Sequence, residues 1–253
     1  MLLVIDAGNT NVKLGVFRGA ELVAQWRLAI DPEKSGDEVR RLFEQEGLDR
    51  KEIEGIAICS EVPPLDDALK QMSEGCFELT PLFVDHTTDT GLKILYDSPS
   101  DLGADRIVDA AAGVAKYGAP SIVVDCGTAT TFNAVNAAHE YIGGVIAPGI
   151  MISAEALFSR AAKLPRVEIK RPDKVIATST TGAMQSGLYY GYAGLVDGVL
   201  TQMIAALGSQ PRVIATGGLA PLIADGSKFI EEVDRTLTLD GLRLIYERNK
   251  KPV

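Results

Sequence analysis

The residues in this chain best suited to chemistry come as two Asp-x-Gly groups. Asp6-Ala7-Gly8-Asn9-Thr10 follows the apolar run Leu3-Val4-Ile5, and Asp125-Cys126-Gly127-Thr128-Ala129-Thr130 follows Val123-Val124. Glycine permits a sharp turn and lets backbone N–H groups approach an oxyanion with no Cβ in between. Asn9, Thr10, Thr128 and Thr130 add neutral donors, and Asn11, Val12 and Lys13 continue the first group, with Lys13 bringing a cation. A carboxylate at each strand end, Asp6 and Asp125, can hold hydrated Mg²⁺ or a monovalent cation against phosphate charge. The chemistry indicated is a clamp on the phosphates of a nucleotide such as ATP. One Asp-x-Gly commonly makes a turn and nothing more. Two copies, with Thr216-Gly217-Gly218 after a further apolar run, favour the nucleotide. The loops GxxxxGK[ST] and GxGxxG are both missing, so this is another kind of phosphate site.

A different kind of group lies between the two turns, at Gly103-Ala104-Asp105-Arg106. Phosphoryl transfer to an alcohol needs an acceptor for the hydroxyl proton, usually a carboxylate within hydrogen-bond reach. Asp105 is the candidate; Gly103-Ala104 lets its loop come close to a substrate, and the planar fork of Arg106 suits a carboxylate or amide. Residue types alone leave two plainer readings open: a surface ion pair of little worth, or an N-cap for a helix entering Ile107-Val108-Asp109-Ala110. Cys126 invites a redox reading, but a free cysteine behaves mostly as a small buried hydrophobe.

These residues need elements to position them, and the apolar pattern supplies a duplicated set. After each Asp-x-Gly comes a second alternating run, Val12 to Phe17 and Phe132 to Val135, so each copy reads as a β-hairpin. Ile53 to Cys59 and Val213 to Gly218 read as matching later strands. A helix is predicted from Asp37 to Gly47, and a longer one from Thr180-Thr181 to Leu207-Gly208. Gly182, Gly187, Gly191 and Gly194 lower the helix propensity of the latter and point to close approach of another helix or subunit. The expectation is an α/β protein of two similar domains, 1–117 and 118–253, with a frayed tail from Glu247 to Pro252.

Composition narrows the partners. The 253 residues carry a net charge of −9, which disfavours nucleic acid, because phosphate backbones are gripped by fields of Lys and Arg. Three cysteines, Cys59, Cys76 and Cys126, form neither a CxxC pair nor an even set and fit a reducing cytoplasm. The apolar start meets Asp6 too early for a signal peptide, and no stretch offers the ~20 apolar residues of a membrane helix. Two distant histidines, His86 and His139, do not make a metal site.

The ordered blocks Asp6 to Thr10, Asp101 to Arg106, Asp125 to Thr131, Gly143 to Gly149, Ala183 to Gly187 and Thr216 to Ala220 resemble those of type III pantothenate kinases along nearly the whole chain. That resemblance implies a duplicated ribonuclease-H-like, actin-like ATPase fold with mixed sheets flanked by helices. It implies ATP-dependent phosphorylation of pantothenate, a K⁺ or NH₄⁺ requirement, and a homodimer. It further implies Asp105 as general base, an ATP site at residues 6–13 and Thr128, a monovalent-cation ligand in Asp125, and a pantothenate site at Tyr96, Gly103, Ala104, Asp105, Arg106 and Thr180. Tyr96 reads equally as a core residue, and Thr180 as a helix cap. Ala177-Thr178-Ser179-Thr180-Thr181 departs from the family block, so Thr180 and Thr181 compete for the substrate contact. Ile150 matches a position that reaches into the partner's pocket, or else packs in its own core. Another kinase or phosphatase of the superfamily, and a non-catalytic regulator, are the alternatives.

Overall fold

The computed structural model describes residues 1–29 and 35–250. In chain order its first elements are β1 (Leu2–Ala7), β2 (Asn11–Arg18), β3 (Glu21–Ala29), α1 (Ser35–Gln45), β4 (Gly55–Ser60), α2 (Pro63–Phe77), β5 (Leu82–Phe83), β6 (Lys93–Ile94) and α3 (Ala104–Tyr117). There follow β7 (Ser121–Cys126), β8 (Ala129–Val135), β9 (Glu140–Pro148), α4 (Ile150–Arg160), α5 (Thr180–Leu207), β10 (Arg212–Thr216), α6 (Ala220–Gly226), β11 (Glu232–Val233) and α7 (Leu237–Asn249).

Both sheets are built on one plan. The first runs β3-β2-β1-β4-β5; the second runs β11-β10-β7-β8-β9 and adds β6 beside β9. In each, two hairpins give three antiparallel strands, and the later strand pairs parallel with the first: β4 with β1, β10 with β7. This is the α/β duplication, with mixed sheets and flanking helices, that the hairpin repeat predicts. No helix among the described residues is long and apolar enough to cross a membrane.

Contacts divide the chain into two compact units. One comprises residues 1–92, 97–112 and 237–253; the other comprises 93–96 and 113–236. In the first unit β1 is covered on both faces, which is why its residues form an unbroken apolar run ending in Asp6. Side chains alternate across a strand, so Leu3, Ile5 and Ala7 pack with Val39 and Phe43 of α1 and Leu65, Leu69 and Met72 of α2. Leu2 and Val4 face the other way, with Val108 and Ala111 of α3 and Leu239, Leu242 and Ile245 of α7. Each such fully buried aliphatic side chain stabilises the fold by about 1.5–3 kcal/mol. A single cut after residue 117 separates α7 from the sheet it covers, since Leu239 and Leu242 fill the space beside Leu2 and Val4.

The end of α7 corrects one expectation. Glu247 to Asn249 are helical rather than frayed; Arg248 Nε donates to Asp89 Oδ1 at 2.7 Å and Asn249 Nδ2 to the Asp89 carbonyl at 2.8 Å. Lys251 and Pro252 lie outside the described residues. In the second unit, Ile122, Val124 and Cys126 of β7 pack on Leu188, Tyr192, Val196 and Leu200 of α5. Asp125, between two of them, therefore points to the opposite face.

Candidate active site

Period-2 alternation decides where Asp6 goes. It shares the face of Leu2 and Val4, towards α3, and sits buried at the strand end. Its register partner is Lys13, whose Nζ lies 2.8 Å from Asp6 Oδ2. Gly8, Asn9 and Thr10 connect the two strands, with Gly8 N–H donating to the Asn11 carbonyl at 3.1 Å, and Asn9 and Thr10 exposed. Ala7 and Val12 send their side chains into the core, so only their backbone groups face outward.

Asp105 lies in the first turn of α3, its Oδ1 accepting from the Arg106 N–H at 2.7 Å. Arg106 itself is buried, which removes the surface ion pair as an account of this dipeptide. Between Asp6 and α3 stands Cys59 of β4, a residue the sequence did not single out. Burial, the charges of Asp6, Asp105 and Asp109, and its hydrogen bond to Asp6 Oδ1 at 3.6 Å push its thiol well above the ordinary value. Asp109 is buried one turn along α3, and Thr238 of α7 donates to it at 2.8 Å. Three carboxylates from two distant stretches thus converge on one thiol. Glu61, just past β4, is a further neighbour: the Asp105 N–H points at its Oε1 from 3.4 Å. Strand spacing gave no signal for either Cys59 or Glu61.

In the second unit the hairpin turn is shorter, Gly127-Thr128 alone, and Thr128 is exposed. Asp125 lies beside Thr216 of β10 and Thr131 of β8. Gly217, at φ +93°, crowds this carboxylate: a Cβ there would lie 2.5 Å from Asp125 Oδ1 and 2.7 Å from the Cys126 carbonyl. At Gly149 a Cβ would lie 2.6 Å from the Gly127 carbonyl and closer still to that of Thr128. Glycine at these places lets the backbone itself pack against the Asp125 carboxylate and the carbonyls of Cys126, Gly127 and Thr128, with the Gly149 N–H donating to the Thr128 carbonyl at 3.1 Å; such carboxylate and carbonyl oxygens are the hard donors a cation like K⁺ takes. Cys126 faces the core, and burial, then the Asp125 charge, push its thiol up to about 12. That supports the buried small residue over the redox group.

The remaining predicted residues are placed as follows. Tyr96 is half-buried, its ring tilted on Tyr141 with centroids 6.2 Å apart. Thr180 begins α5, but the cap is Ser179, whose side chain accepts from the Gly182 N–H; Thr180 and Thr181 are both exposed. Ile150 is only 2% exposed and packs in its own core, whereas its neighbour Met151 is 57% exposed.

A family model described as type III pantothenate kinase matches residues 2–202. The chain belongs to the type III pantothenate kinase family. Two curated members, from Koribacter versatilis (strain Ellin345) and Geobacter sulfurreducens (strain ATCC 51573 / DSM 12127 / PCA), are each 53% identical to it. The alignments cover 99% of this chain in both cases, and 96% and 100% of those proteins. Among solved structures, an activator of 2-hydroxyisocaproyl-CoA dehydratase from Clostridium difficile, with bound ADPNP, superposes with a TM-score of 0.59. It is 11% identical over 100% of this chain and 98% of that one, a likeness of fold alone.

Proposed function

We propose that the chain transfers the terminal phosphoryl group of ATP to the alcohol of pantothenate, giving 4′-phosphopantothenate, the first step toward coenzyme A. The observation that supports the catalytic assignment is that Asp105, at the start of α3, and Asp6, at the end of β1, both meet the end of β4: the Asp105 N–H points at Glu61 Oε1 from 3.4 Å, and Cys59 Sγ lies 3.6 Å from Asp6 Oδ1. In this reading residues 6–13 form the ATP site and its exposed Asn9-Thr10 end meets the phosphate oxygens, the Gly8 N–H being taken by the Asn11 carbonyl, with Thr128 a further contact. Asp6 keeps Lys13 in place at the strand end. Asp105 takes the proton from the substrate hydroxyl as the new O–P bond forms and the bond to ADP breaks. Gly103, Ala104, Arg106, Tyr96 and Thr180 complete the pantothenate site. Asp6 is the residue that would help hold Mg²⁺ beside the phosphates, and the ion would supply charge neutralisation there. Asp125 and the Cys126 carbonyl, both packed against Gly217, offer hard oxygen donors that would suit K⁺ or NH₄⁺.

A homodimer is part of the proposal. Gly187, Gly191, Gly194 and Gly198 lie along one exposed face of α5, and a Cβ at any of them meets open space. An exposed glycine costs a helix about 1 kcal/mol relative to alanine, a cost offset where a second backbone packs against it. Exposed Ile146 and Met151 lie in the same unit. The protein acts in the cytoplasm, consistent with its free cysteines.

The test is product formation by the purified chain. ADP and phosphopantothenate should appear together, and only with pantothenate and K⁺ or NH₄⁺ present. Asp105→Asn should lower kcat by about 10²–10⁴-fold, the usual contribution of a proton acceptor. Activity retained by that variant removes Asp105 as the base; reaction with another alcohol in place of pantothenate makes the chain a different kinase of the superfamily.

A further inference from the structure

Helix α3 begins without a local side-chain cap, because Leu102 and Gly103 precede it. Its first turn nevertheless exposes N–H groups that need acceptors. One acceptor comes from a different strand: the Asp105 N–H is 3.4 Å from Glu61 Oε1, at the long end of hydrogen bonding. Glu61 also donates its own N–H to the Ala7 carbonyl at the end of β1, at 2.9 Å, where the chain enters the Gly8-Thr10 turn. A single residue therefore ties the turn that holds phosphate to the helix start that carries the candidate base.

Gly103 reports how tight this junction is. A Cβ there would lie 2.9 Å from both Glu61 carboxylate oxygens and 2.8 Å from Asp105 Oδ1. Real Cβ atoms do not make such contacts, so glycine at 103 is what lets the two carboxylates approach one point. Like charges brought this close repel, and Glu61 is only half-buried. The positive end of the α3 dipole and the Asp105 N–H offset part of that repulsion.

We infer that Glu61 is a positioning residue for phosphoryl transfer: its carboxylate fixes the first turn of α3, and with it Asp105, against the end of β4 and the phosphate turn. It touches no reacting atom itself. The inference rests on Asp105 being the proton acceptor. Charged and titratable groups that face Asp105 in this unit include Glu61 and Cys59 from the β4 end, Asp6 with its Lys13 from β1 and β2, and Arg106 and Asp109 from α3 itself.

The experiment measures kcat and both KM values across pH for the full chain and for Glu61→Ala, Glu61→Gln and Asp105→Asn, with thermal melting of each. Glu61→Ala should lower kcat about 10- to 100-fold, the scale set by small misplacement of a catalytic group, with KM for ATP within about twofold and melting unchanged. Glu61→Gln keeps an oxygen acceptor and should recover most of kcat. Because it removes a negative charge beside Asp105, it should also move the acidic limb of kcat to lower pH. Wild-type kcat in Glu61→Ala with Asp105→Asn inactive overturns the role of Glu61 alone. Equal losses in Glu61→Ala and Glu61→Gln, with lowered melting and an unmoved pH limb, reduce it to a fold-stabilising contact. An active Asp105→Asn overturns the base assignment and this inference with it.

Discussion

Cys59 lies buried in the first unit, its Sγ 3.6 Å from Asp6 Oδ1. Its thiol is held protonated by burial and by three surrounding carboxylates, and Cys126 is raised to about 12 chiefly by burial. The thiolate is the reactive form, so neither should react at pH 8 with a chromogenic disulfide reagent, whereas half-buried Cys76 should. The expected stoichiometry is about one thiol per native chain, rising to three after denaturation; fast reaction at Cys126 would revive the redox reading. Asp6, Asp105 and Asp125 were legible in the sequence because each stands beside glycine with small polar neighbours. Cys59, Glu61 and Asp109 were not, because nothing local distinguishes them. They acquire their surroundings from β1, β4 and α3, which are separated along the chain and adjacent only in the sheet and its covering layer.

Among the elements, the hairpin and the long helix were readable from periodicity and end signals. The αL residue Gly208 closes α5 where glycine predicted its end, and Gly47, at φ +67°, follows α1 in the same way. At its other end α5 starts at Thr180 as predicted, and its cap is Ser179: Ser179 and Thr180 are both competent acceptors, and only the backbone angles choose between them. The turn after β10 offers a sharper test. Gly217→Ala forces a side chain into a positive-φ position and toward Asp125 Oδ1. It should destabilise the protein by about 1–3 kcal/mol in denaturant unfolding and weaken the dependence of activity on K⁺. Unchanged stability and an unchanged K⁺ response would mean that the strand end simply moves aside.

At the scale of the molecule, the glycine face of α5 bears on assembly. Gly191→Arg adds a charged side chain where the chain itself leaves open space. Light scattering should give twice the 27.0 kDa chain mass for the parent and the single mass for the variant, with an unchanged circular dichroism spectrum. A parent of single-chain mass would end the dimer proposal. By itself the sequence determined the duplicated α/β plan, the position of its two Asp-x-Gly turns and the family, because alternation, turn glycines and an ordered set of blocks are local properties of a chain. It did not determine that the last helix closes the first unit, that Ile150 lies in its own core, or that Glu61 sits against Asp105. Those depend on which faces meet once the strands are in register, and the energy that decides them comes from burial between segments far apart in sequence.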